Sequence, residues 1–70
     1  MEKTVIARWE SSRGKDWVNV YEHELGYCYD GNGCGGWFGD VTRQEAIDSI
    51  AVRVARGEFC SQKSPMRKVV

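Results

Sequence analysis

Seventy residues permit a single domain, 1–70, whose core must be economical, and three Trp, three Tyr and two Phe supply large apolar area for it. So short a chain leaves little interior for a deep substrate pocket, which points away from an enzyme and from a small-molecule substrate. Ten basic and ten acidic side chains cancel, arguing against a simple polyanion binder and equally against a wholesale DNA mimic.

The charge is nevertheless uneven. Residues 1–40 carry four basic and seven acidic side chains, and residues 41–70 carry six basic and three acidic. Three cysteines cannot all pair within one chain. The opening MEKTVIARWESS lacks the apolar core and cleavage pattern of a signal peptide, and no apolar run reaches the ~20 residues that span a bilayer. These features predict a soluble cytoplasmic protein with reduced thiols and no membrane partner.

In chain order, KTVIARWESS alternates with Val5, Ala7 and Trp9 on one side and Ile6, Arg8 and Glu10 on the other, which predicts a strand. SSRGKD supplies a turn with Gly14 available for positive φ. WVNVYEHE is a second strand that sets Trp17, Asn19 and Tyr21 against Val18, Val20 and Glu22. Apolar residues lie on both sides of both strands, so the core face of the expected hairpin stays open. LGYCYD is a third short strand, GNGCGG a turn, and WFGD a possible fourth strand. Thr42 and Glu45 then form a capping box, with Val41 placed to staple against Ala46. Ala46, Ile47, Ile50, Ala51 and Val54 repeat at helical spacing, while Arg43, Asp48 and Arg56 fall mainly opposite. Arg53 and Arg56 suit the last turn, and Gly57 the position after it. Residues 60–70, interrupted by Ser64-Pro65, form either a basic tail or a short final strand. The expected architecture is α+β: a small antiparallel sheet of three to four strands with one amphipathic helix packed on one face, β-β-β(-β)-α.

Residues 26–39 hold six of the eight glycines. Gly31, Gly33 and Gly36 spell G-x-G-x-x-G, but the next helix cap is six residues on and no βαβ unit follows. Asp30 and Asp40 would also repel a phosphate. Asp-Gly-Asn-Gly instead reads as a type I′ hairpin turn, with Gly35 and Gly36 allowing a bulge or an aromatic ring packed flat on backbone. Cys28, Cys34, Cys60 and His23 lack the two-residue knuckle of zinc ribbons, so no metal or other cofactor is expected. Cys28 and Cys34 either face each other across a hairpin or act as small buried hydrophobes.

Residues 22–40 contain Glu22, Glu24, Asp30 and Asp40 and no Lys or Arg. An acidic sheet end tipped with aromatics suits a basic protein groove, with Asn32, Trp37 and Phe38 as anchors and Glu22, Glu24 and Asp30 as partners for its cations. The alternative is a nucleic-acid surface built from Arg13, Lys15, Arg53, Arg56, Lys63, Arg67 and Lys68.

The stretch GYCYDGNGCGGWFGDVTRQEAI resembles small proteins encoded by bacteriophages and prophages, with a Tyr-rich strand, a glycine turn and a capped helix. The resemblance extends in pattern over residues 17–60. Many accessory proteins of this kind inhibit host defence, and anti-CRISPR proteins are a prominent class of small α+β binders. It implies a non-enzymatic inhibitor that binds a host protein or protein–nucleic-acid complex, a CRISPR–Cas effector above all. Many anti-CRISPR proteins are strongly acidic, whereas this chain is neutral, so the resemblance implies surface blocking rather than DNA mimicry.

Overall fold

The computed structural model describes residues 3–11, 15–32, 34–59 and 66–70. It is an α+β fold: an antiparallel sheet with one helix packed on it. The strands are β1 (Thr4–Ser11), β2 (Trp17–His23), β3 (Gly26–Gly31), β4 (Cys34–Trp37) and β5 (Met66–Lys68), and α1 spans Arg43–Ala55. Their order across the sheet is β4-β3-β2-β1-β5, so the sheet has five strands rather than three or four. The fifth comes from the segment that the sequence left between tail and strand, since Met66–Lys68 pairs antiparallel with β1. The Gly14 turn, Arg13, Gly33, Cys60, Lys63 and Ser64-Pro65 lie outside the described residues.

The β1–β2 register decides which face is the core. Trp9 pairs with Val18 and Ala7 with Val20, so these four side chains share the side that α1 covers. Between Val5 and Ala7 the register slips, with Val5 opposite Tyr21 and Ala7 opposite Val20. This bulge corrects the strict alternation expected of β1. An inserted residue reverses facing beyond it, so Val5 falls on Tyr21's side of the sheet and is 38% exposed, while Ile6 packs on the core. Ala46 and Ile50 of α1 are fully buried on Val18 and Val20, and Ile47, Ala51 and Val54 extend the same stripe.

The helix ends follow the sequence. The Thr42 hydroxyl accepts from the Glu45 amide at 3.1 Å, and the Thr42 amide donates to Glu45 Oε1 at 2.8 Å. At the other end Gly57, at φ +77°, lets its amide reach the Val54 carbonyl and the Glu58 amide reach that of Arg53, a Schellman motif.

The glycine segment departs from its expected outline. Gly31 pairs with Cys34 and Tyr29 with Gly36, so β4 is Cys34–Trp37 and contains the glycine pair that the sequence assigned to a turn. No described non-glycine residue has positive φ, so Asn32 does not adopt the type I′ conformation. Its side chain is engaged elsewhere, as described below. Gly31 is required by close approach: a Cβ there would lie 2.9 Å from the Trp17 carbonyl oxygen. At Gly36 the Tyr29 ring lies on the backbone, with Cε1 3.2 Å from where a Cβ would stand, which is the aromatic-on-glycine packing that the sequence suggested.

Candidate functional site

With α1 on one side, the other side of the sheet carries no covering element among the described residues. The paired registers place Trp37, Cys28, Tyr21 and Val5 in one row across β4, β3, β2 and β1 on this open face. Gly35, Asp30, Asn19 and Arg8 form the next row, and Trp17, Glu10 and Arg67 the third. Trp37 is 59% exposed at the corner of the first row, with the His23 ring edge-on at 5.3 Å. Leu25, at the tip of the β2–β3 hairpin, is 75% exposed.

The middle of the face is a hydrogen-bonded polar chain. Arg8 Nη1 donates to Asn19 Oδ1 at 2.8 Å, and Asn19 Nδ2 donates to the Tyr21 hydroxyl at 3.0 Å. Arg8 Nε meets Glu10 at 3.2 Å, and the Arg8 guanidinium lies 5.4 Å from the centre of the Trp17 ring. Arg8, Asn19 and Tyr21 thus satisfy one another's polar groups across the pleat, an arrangement that favours one side-chain geometry in the middle of the face. Lys3 lies over Tyr21 at 4.7 Å and adds a cation at the end of the first row.

The six residues singled out for protein binding do not form one patch. Trp37 and Asp30 lie on the open face. Phe38 is half-buried on the core side, with its ring 5.4 Å from that of Tyr29. Glu22 pairs with Tyr27 on the side of the helix and receives a 3.4 Å hydrogen bond from its hydroxyl. Glu24 is exposed in the β2–β3 turn. Asn32 is a brace between hairpins: its Oδ1 accepts from the Trp17 amide at 2.9 Å, and its Nδ2 donates to the Lys15 carbonyl at 2.7 Å and to Asp16 at 2.8 Å.

The basic set divides as well. Arg67 is on the open face, whereas Lys68 lies over Trp9 on the covered side. Arg53 rests on Tyr29 and Phe59 at 4.9 and 4.8 Å and bonds Glu58 at 3.0 Å. The hydrogen bonds that its guanidinium makes to Tyr29 and then to Glu58 raise its pKa above the ordinary arginine value. Arg56 is exposed at the helix C-terminus, near the same Glu58, and Lys15 is exposed beside the Asn32 brace. Arg13 and Lys63 are outside the described residues.

Cys28 is buried and opposes Trp37, while Cys34 is exposed and opposes Gly31, so the two thiols do not face each other and both are free. Among the described residues no group of three or more His, Cys, Asp and Glu side chains is placed to hold a metal ion, and no helix is long and apolar enough to cross a membrane. The sequence reading missed Tyr21 and Leu25 as surface residues. Leu25 carried a signal, being an isolated apolar residue in an otherwise polar turn. Tyr21 carried none, because only pairing shows which side is uncovered. No family model, curated protein or solved structure matches the chain.

Proposed function

We propose that this chain is a non-enzymatic binding module that acts by laying the open face of its sheet on another macromolecule. The observation that supports it is the uncovered face itself: Trp37 at its corner with His23 beside it, Tyr21 along the same row, Trp17 at the far row, and a hydrogen-bonded polar chain between them. A pre-ordered aromatic surface loses little side-chain entropy on association, and Trp and Tyr are the residues that anchor interfaces. With the resemblance to small phage proteins, the reading extends to a phage-encoded inhibitor that blocks a host defence complex, a CRISPR–Cas effector first. Trp37 would be the anchor, and Asp30 on the same face, with Glu24 at the hairpin rim, would meet cations that otherwise hold nucleic acid. Glu22 faces the helix side and lies outside this contact.

The test is capture of Cas subunits from a bacterial lysate by the tagged chain, with and without nuclease. A subunit retained after digestion and lost with Trp37→Ala supports the reading. The double variant Glu24→Lys, Asp30→Lys should lose the partner while keeping its circular dichroism. Unchanged capture by that folded variant would remove these two carboxylates from the interface. A second reading, a small nucleic-acid-binding protein, draws on Arg67 in the same row as Trp17, and on Arg8 stacked over that ring. Its signature is single-stranded oligonucleotide affinity that falls steeply with salt.

A further inference from the structure

We propose that the outer edge of β4 accepts an extended strand from another protein, antiparallel to β4, with an apolar side chain beside Trp37 and a Lys or Arg two residues later beside Asp30. The edge is available because β4 is the last strand of the sheet, and no described element lies along its outer side. Its hydrogen-bonding groups follow from register. The Phe38 amide donates to the Tyr27 carbonyl at 3.0 Å, which makes Tyr27/Phe38, and in alternation Tyr29/Gly36 and Gly31/Cys34, the hydrogen-bonded pairs. Gly35 and Trp37 occupy the alternate positions. Their amides and carbonyls therefore point off the sheet, two donors and two acceptors for an added strand.

The two edges of the sheet differ in protection. The β5 edge is three residues long and carries Arg67 and Lys68, the charged side chains that keep natural edges from pairing. The β4 edge reads Cys-Gly-Gly-Trp, with no charge and no proline. Side chains directly opposite in a sheet share a face, so the residue paired with Gly35 would sit on the open face beside a position without a side chain. What it meets there is Asp30, whose Oδ1 lies 3.4 Å from where a Gly35 Cβ would stand. Asp30 is exposed and forms no ion pair among the described residues. With four carboxylates and no Lys or Arg in residues 22–40, that side chain is best a cation. The residue paired with Trp37 gains the exposed indole as its neighbour. A second copy of this chain fits less well. Pairing about Gly36 would cover each Asp30 with the copy's Trp37 and bring two acidic segments together.

The proposal concerns β4 backbone rather than the open face, and its test separates the two. Proton–nitrogen NMR spectra of the whole chain would be recorded with an end-capped seven-residue peptide that alternates threonine and valine and carries one lysine two residues after a valine. Shifts and slowed hydrogen exchange at the Gly35 and Trp37 amides are expected. Replacing the peptide lysine by glutamate, or Asp30→Asn in the protein, should weaken binding at least tenfold. Gly35→Pro removes an outward amide but none of the β3–β4 hydrogen bonds and should abolish binding, and Asp30→Asn reads the charge if that variant fails to fold. Shifts confined to Tyr21 and Trp17 would overturn the edge assignment and leave the open-face reading standing. Absence of binding would overturn it too. Concentration-dependent shifts at Gly35 and Trp37 without peptide would give the edge to a second copy and overturn the assignment to a basic strand.

Discussion

At the scale of single residues, Asn32 and Trp37 show how alike two loop side chains look in sequence and how differently they are used. Both flank the glycines of a hairpin, and both suit a recognition tip. Asn32 spends its amide on Trp17, Lys15 and Asp16, tying the β3–β4 turn to the start of β2. Trp37 is left with its indole mostly in water. Asn32→Ala should therefore act on stability and not on affinity. Loss of its three hydrogen bonds, with Asp16 buried, should cost about 1–3 kcal/mol. Thermal unfolding would register this as a drop of several degrees. An unchanged melting temperature with reduced partner capture would return Asn32 to the binding surface. Trp37→Ala should show the reverse pattern.

At the scale of elements, α1 is the part whose local chemistry is self-consistent from end to end. The capping box, the five-residue apolar stripe and the Gly57 cap all agree with one another and with the packed structure. Thr42→Ala should cost about 1 kcal/mol, because it strands the Glu45 amide at the helix N-terminus. Chemical denaturation should show the midpoint falling with no change in slope, and Thr42→Ser should restore most of it. The strands are less self-sufficient. The bulge at Ile6 and the inclusion of Gly35–Gly36 in β4 both depend on what the neighbouring strand offers: a core site for Ile6 and the Tyr29 ring for Gly36.

At the scale of the molecule, one small core holds the sheet and helix together, and it is centred on Val18, Val20, Ala46 and Ile50, all fully buried. Ile50→Ala should cost about 2–5 kcal/mol, a large share of the stability of a domain this size. Loss of cooperative unfolding by near-ultraviolet circular dichroism, through Trp9 and Tyr29, would check it. A loss below 1 kcal/mol would mean that α1 is not the lid on this core. The burial of one sheet face leaves the other to solvent, which is the usual economy of an antiparallel sheet with a single helix. That economy supplies the open face on which the proposed function rests.

The sequence by itself determined the α+β class, the helix with both its caps, the presence of strands β1 and β2, and the alternation of β2. These are properties of local spacing and capping chemistry, which act within a few residues. Only the tertiary structure decided which side of the sheet is covered, because Trp9 and Trp17, or Val20 and Tyr21, are equally apolar until register assigns their faces. It also made a strand of Met66–Lys68, whose pairing partner β1 lies some fifty-five residues earlier, and tied the Asn32 side chain to the start of β2. The candidate site follows the same division: Trp37 and Asp30 were visible as residue types, but their neighbours Tyr21, His23 and Gly35 come together across β2, β3 and β4. Strand pairing is a long-range choice, and a surface made by pairing is legible only after that choice has been made.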